Sequence, residues 1–122
     1  MRLGSWFLTE CLSSVGSTGF GMFMPAFLAK REVFDWLLSG DKTIDVRKGR
    51  PIEGDTAVFL CGPRRLTLRV VSRQVGALSE VVHGGNFRQV IPSAGCLNEA
   101  LAYFGGLYGV CDGFFTAYYV VR

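Results

Sequence analysis

Gly40-Asp41-Lys42-Thr43-Ile44-Asp45-Val46-Arg47 reads as a helix stop running into a short strand. Strand side chains alternate between faces, so Ile44 and Val46 point one way while Thr43, Asp45 and Arg47 line the other. Lys42 stands at the entry, with a side chain long enough to reach over the same polar row. Two cations and a carboxylate on one face can grip a polar or anionic ligand. The same pattern also suits a solvated edge strand carrying an Asp45–Arg47 ion pair. Both readings stand at this point.

Upstream, Val33, Phe34, Leu37 and Leu38 recur at helical spacing, which predicts a helix over Lys30–Ser39 with Gly40 as its C′ residue. Before it, Met22–Ala29 reads as a first strand with an edge or bulge at Pro25. Downstream, Lys48-Gly49-Arg50-Pro51 and Glu53-Gly54-Asp55 are turns, followed by a strand over Thr56–Cys61. Gly62-Pro63-Arg64-Arg65 then makes a hairpin-like connection into Leu66–Arg73, where apolar and polar residues alternate. The strands on either side of these turns are expected to form a largely antiparallel meander.

Ser79 is a candidate N-cap for a helical piece through Val82, with Glu80 in its first turn. Phe87–Ile91 is ambiguous, and residues 92–95 form a loop. Leu97, Leu101, Phe104 and Tyr108 predict a second helix over Leu97–Tyr108, with Gly105-Gly106 fraying its end. Phe114–Val121 is β-prone and apolar on both faces, as a central covered strand should be.

Composition agrees with this order of elements. A chain of 122 residues, 49% of them apolar, can build a real core, and its 16 glycines favour turns between strands over a helical bundle. General disorder is excluded by the same numbers. The net charge of +3 is mild, but the positive excess lies mid-chain: residues 30–50 hold six basic and four acidic side chains, and 76–122 hold two and three. An anionic or nucleic-acid partner would find its charge there, although solubilising surface charge accounts for it nearly as well.

Cys11, Cys61, Cys96 and Cys111 are widely spaced and share the chain with one histidine, His83, so neither a zinc site nor any other metal or cofactor is expected. A reducing cytoplasm suits four such cysteines. Residues 1–21 begin like a signal peptide, but Glu10 and the Ser/Gly-rich run after it interrupt the apolar stretch too early, and no membrane span follows. They are expected to be a variable or poorly ordered extension to a domain over 22–122, with Met22 and Met24 as alternative starts.

Taken together, the order of parts resembles the ASCH domain family, which shares the PUA-like β-barrel fold. The family signature, Gly-x-Lys-x-x-Glu-x-Arg, is matched by Gly40, Lys42 and Arg47, with Asp45 in place of the usual glutamate. The Gly54-Asp55 turn before a strand fits as well. The resemblance implies an α+β fold: a small barrel of mostly antiparallel strands, with two or three flanking helices and a cleft lined by the Lys–acid–Arg set. An isolated domain of this kind suits a bacterial or phage protein.

Family members are linked to RNA binding, to transcription coactivation and to chemistry on RNA or nucleosides. One branch resembles an amidohydrolase acting on N4-acetylcytidine, with a threonine three residues after the lysine and a glutamate further on. Here Asp45 stands at the threonine position, and residues 92–95 offer no carboxylate. A ribonuclease-like branch is the other enzymatic alternative.

Lys42, Thr43, Asp45 and Arg47 are therefore the candidate ligand-binding residues for RNA or a nucleotide-like molecule. Arg47 would offer a planar fork to a phosphate or base edge, Asp45 would orient a cation or accept from an amine or hydroxyl, and Lys42 would supply a point charge. Lys48, Arg50, Arg64 and Arg65 form a candidate basic rim, or are simply solvated. Arg69 and Arg73 fit either strand face, and His83 reads as a lone surface residue. Tyr103, Tyr108, Tyr118 and Tyr119 read as core or cleft-wall residues able to stack on a base. If Lys42 and Asp45 were catalytic, Lys42 would need a lowered pKa, whereas Asp45 beside it is expected to raise it. That expectation favours binding over catalysis.

Overall fold

The structure, a computed structural model, describes residues 25–122. The expectations placed on residues 1–24, including the extension and the start of the Met22–Ala29 strand, lie outside the described residues. In chain order the elements are β1 (Ala26–Leu28), α1 (Arg31–Ser39), β2 (Ile44–Lys48), β3 (Thr56–Cys61), β4 (Arg64–Gly76), α2 (Leu78–Val81), α3 (Phe87–Val90), α4 (Leu97–Tyr108) and β5 (Phe115–Val121). The architecture is α+β, and its four described helices exceed the two or three expected. None of the described helices is long and apolar enough to cross a membrane.

The five strands form one curled, mixed sheet in the order β1-β3-β4-β5-β2. Three neighbouring pairs are antiparallel, and β1 runs parallel to β3. The expected meander is corrected in one respect: β2 pairs with β5, not with β3. The sequence offers two good partners for the apolar β3, and the turns at 49–55 carry the chain away from β2 to the other end of the sheet.

Strand β4 makes the curl. Its first half pairs with β3 through Arg69 and its second half pairs with β5 from Arg69 onward, with a register shift between Val70 and Ser72. A bulge of this kind bends a strand and increases its twist. The two outer strands, β1 and β2, are thereby brought face to face as a half-barrel.

Two apolar clusters fill the two sides. Val33, Phe34 and Leu37 of α1 pack with Phe27, Phe59 and Tyr118, and Val81, Val90, Ala100 and Phe104 of the later helices pack with Ile44, Val46 and Phe115. Strand β5 serves both, with Ala117 in one cluster and Tyr118 in the other, as expected for a central covered strand.

Helix α1 ends where the sequence placed its stop. Gly40 adopts φ +89°, in the left-handed region open to glycine, and its N–H donates to the carbonyls of Trp36 and Leu37. The piece after β4 starts two residues earlier than expected, with Ala77 as the N-cap position and Ser79 inside the helix. There the Glu80 carboxylate reaches back to accept from the Ala77 N–H at 2.7 Å, as an N3 glutamate does for the N-cap backbone. Helix α4 runs through Gly105-Gly106 to Tyr108 without fraying, closed by a bond from Gly109 N–H to the Gly105 carbonyl.

Candidate functional site

The loop from Gly40 into β2 is fixed by backbone bonds before any side chain is placed. Lys42 N–H donates to Trp36 at the end of α1, Thr43 N–H donates to Gln89, and Val120 N–H donates to the Thr43 carbonyl. These bonds leave Lys42 pointing inward at the seam between α1, α3 and β2. Its ammonium donates to the carbonyl of Val90, the last residue of α3. Carbonyls at a helix C-terminus lack intrahelical partners, so a cation there is well placed.

Asp45 and Arg47 share the strand face opposite Ile44 and Val46, as the alternation requires. Arg47 Nε donates to Asp45 Oδ2 at 2.7 Å and Nη2 donates to Oδ1 at 3.4 Å. A third bond runs from Arg47 Nη1 to the carbonyl of Leu28 in β1, at 2.7 Å, and the guanidinium lies 4.8 Å from the Phe27 ring centre. The pair is buried, with Asp45 2% and Arg47 7% exposed, so the solvated edge-strand alternative does not hold.

Lys42 is 4% exposed. Burial pulls its pKa from 10.5 down to about 8; Asp45 opposes the shift and Arg47 adds to it. The expectation that Asp45 would set the direction is thus corrected. Removing the amine from water disfavours its charged form by more than one neighbouring carboxylate, already engaged by Arg47, restores.

These three side chains form the floor of a small cleft of about 40 Å³ between α1 and α4, partly open to solvent. Leu28, Ala29 and Val33 make one wall, and Tyr103, Phe104, Leu107 and Tyr108 make the other. Of the four tyrosines singled out in the sequence, Tyr103 and Tyr108 are therefore cleft walls. Tyr118 is core, and its hydroxyl accepts from Ile52 N–H at 2.9 Å.

Thr43 does not line the cleft, because β2 begins one residue later and the Thr43 backbone serves Gln89 and Val120 instead. Nor do the four candidate rim cations. Lys48 donates to the Val110 carbonyl and lies 3.6 Å from Asp112, and Arg64 pairs with Asp35 at 3.1 Å while covering the Phe34 ring. Arg50 and Arg65 are exposed. Arg73 is structural: it donates to the carbonyls of Ile52 and Gly54 and so pins the 49–55 turns. His83 is exposed, with Nδ1 accepting from Gly85 N–H.

One cleft residue, and one partner of a cleft-wall side chain, gave no signal in the sequence. Lys30, at the start of α1, lines the cleft with its ammonium 5.5 Å from the Tyr103 ring centre. Glu32 accepts a 2.5 Å bond from the Tyr103 hydroxyl. Burial, together with that bond to a carboxylate, pushes the Tyr103 pKa up. No group of three or more metal-ligating side chains occurs among the described residues.

The fold and site define a small α+β half-barrel with one polar-floored cleft. The crystal structure of hypothetical protein PH0355 has a similar fold, with a TM-score of 0.65, 16% sequence identity, and coverage of 78% of this chain and 94% of that chain. At that identity the likeness concerns the fold alone. No family model matches the chain, and no curated protein matches it.

Proposed function

We propose that this protein binds a nucleoside- or nucleotide-type ligand, free or at an accessible position of an RNA, in the cleft between α1 and α4. The observation that carries this reading is the convergence of buried Lys42, Asp45 and Arg47 beneath the aromatic side chains of Tyr103, Phe104 and Tyr108. Burying three ionisable groups opposes folding unless they are closely paired, and apolar residues would close the same seam at less cost. Their presence in this seam suits a ligand that uses them.

Two cations and one carboxylate leave the floor at +1 when Lys42 is protonated, which suits a phosphate, carboxylate or polarised carbonyl. Aromatic rings on the wall suit a planar base. Because Lys48 and Arg64 are occupied by Asp112 and Asp35, a ligand of one or two nucleotides fits this surface better than a long backbone track. On this reading the chain is an ASCH-like member of the PUA-like folds, through Gly40, Lys42, Asp45 and Arg47.

A titration of nucleosides, nucleoside monophosphates and short single-stranded RNA against wild type and Lys42→Met, at two salt concentrations, tests it. Binding that Lys42→Met weakens at least tenfold is expected. No binding by any of these ligands at millimolar concentration would end the reading.

A second reading is favoured by one observation, the Lys42 pKa of about 8. About a tenth of the amine is then neutral at pH 7, and so available as a base or nucleophile toward an RNA or a modified nucleoside. An amidohydrolase of the N4-acetylcytidine type is the weaker form of this reading, because Asp45 replaces the threonine and residues 92–95 neither line the cleft nor carry a carboxylate. Cleavage of RNA is the stronger form. Incubation of RNA oligomers and N4-acetylcytidine with micromolar protein decides it, and absence of product in both removes the enzyme.

A further inference from the structure

Tyr103 is placed differently from the other aromatic residues of the cleft. Phe104 is buried, and Tyr108 stacks on Phe104 and meets Phe115 edge-on, so these two wall residues are held against the core beneath α4. The Tyr103 ring instead crosses toward α1. Its hydroxyl donates to Glu32 at 2.5 Å, its ring centre lies 6.1 Å from that of Trp36, and Lys30 stands over it at 5.5 Å. Among the described residues, Trp36 and Tyr103 are the two half-buried aromatic side chains that touch both apolar clusters. Both therefore sit at the junction over which the cleft opens.

The polar tip of Tyr103 is held by a carboxylate that is itself exposed. A single hydrogen bond at an exposed site contributes little net stability, because water competes for both partners. Lys42 lies in the same cleft and is almost wholly covered. A ligand that reaches the Lys42 ammonium needs more room than a cleft of about 40 Å³ gives.

We infer that Tyr103 is a movable wall, latched across the cleft mouth by Glu32, and that its release opens the way to Lys42. The inference rests on reading the cleft as a ligand site, and it concerns access to that site. In the latched state the ring and hydroxyl join α4 to α1. Once released, the ring is free to lie against a bound base, so opening and stacking become one motion. A ligand that binds the open state shifts the population toward it in proportion to its preference for that state.

The test needs no ligand. Cyanate is a small probe that carbamoylates neutral amines, and peptide mass spectrometry reads the modified fraction at each lysine. The rate at Lys42, normalised to Lys48 in the same sample, would be compared among wild type, Tyr103→Phe and Glu32→Ala at one pH, both variants lacking one partner of the bond. Tyr103→Phe keeps the ring and the Glu32 charge while removing the bond, so a static helix tie and a gate give different results. A gate predicts a rise of about fivefold at Lys42 in both variants, the population shift that accompanies loss of one ordinary hydrogen bond. A Lys42 rate unchanged from wild type in both variants, including no reaction in any protein, overturns the gate. If nucleosides fail to bind but labelling rises, the ligand assignment falls and the gate stands. If they bind but labelling is unchanged, the gate alone falls.

Discussion

Arg47 and Leu28 join the two open edges of the sheet: the Arg47 Nη1–H donates to the Leu28 carbonyl at 2.7 Å, side chain to backbone, where no ladder bond links β2 to β1. The same guanidinium grips Asp45, so one side chain serves both barrel closure and the floor of the cleft. Replacing it with an apolar chain of similar length would leave a buried carboxylate unpaired and a strand-edge carbonyl unsatisfied. Arg47→Met is therefore expected to lose about 3–5 kcal/mol of stability. Asp45→Asn/Arg47→Met should recover part of that loss, because the stranded charge goes with its partner. Urea unfolding at pH 7 measures both, and an Arg47→Met midpoint equal to wild type would show that the closure does not depend on this residue.

The stretch from Gly40 to Arg47 was legible because its signals are local. A glycine needed at positive φ marks the helix stop, and alternation assigns Asp45 and Arg47 to one face. Pairing of β2 with β5 was not legible, since apolar strands of similar length are interchangeable until the bulge at Val70–Ser72 fixes which of them meet. Burial was the other hidden quantity. Lys42, Asp45 and Arg47 look like a solvated row in sequence, and only α1, α3 and α4 closing over them reverses the expected shift of Lys42. The Tyr103–Glu32 contact joins residues 71 positions apart, and nothing in either neighbourhood announces it.

Arg73 is expected to matter for the 49–55 turns and not for the cleft. It donates to Ile52 and Gly54, and the Ile52 N–H in turn donates to the Tyr118 hydroxyl. Arg73→Ala should cost about 1–3 kcal/mol, as loss of charge-assisted bonds to buried or half-buried acceptors does. It should also speed amide hydrogen exchange across residues 52–55. Exchange there at the wild-type rate would mean that Tyr118 alone holds the loop.

Lys42 should make the protein less stable near neutrality than it is in mild alkali. Its folded pKa of about 8 lies below the ordinary 10.5, so between these values the unfolded chain binds more protons than the folded one. Stability contributed at this site therefore rises with pH across that window, by about 3 kcal/mol in full. Lys42→Met is expected to be stabilised by about 1–3 kcal/mol at pH 7, since it removes a buried charge while keeping most of the volume. The advantage should shrink by pH 10. Comparing the two proteins at each pH cancels the titration of every other group. A variant less stable than wild type at pH 7 would mean that the bond to Val90 outweighs desolvation.

The charge of the cleft floor should set how an anionic ligand responds to pH. Below about 8 the floor carries two cations against one carboxylate; above it, with Lys42 neutral, Arg47 and Asp45 cancel. A bound anion favours the protonated amine and raises its pKa, so binding takes up a proton in the interval between the free and bound values. The affinity of a nucleoside monophosphate, whose phosphate charge is constant above pH 7, should accordingly fall as pH rises through about 8, by up to about tenfold per pH unit. The corresponding neutral nucleoside should show a much smaller change. Lys42→Met should bind the monophosphate weakly and without this slope. Calorimetry at pH 7, 8 and 9.5 in buffers of different ionisation enthalpy reads both the affinity and the proton uptake. A wild-type affinity flat across that range would place the phosphate away from Lys42 and leave the floor to the base.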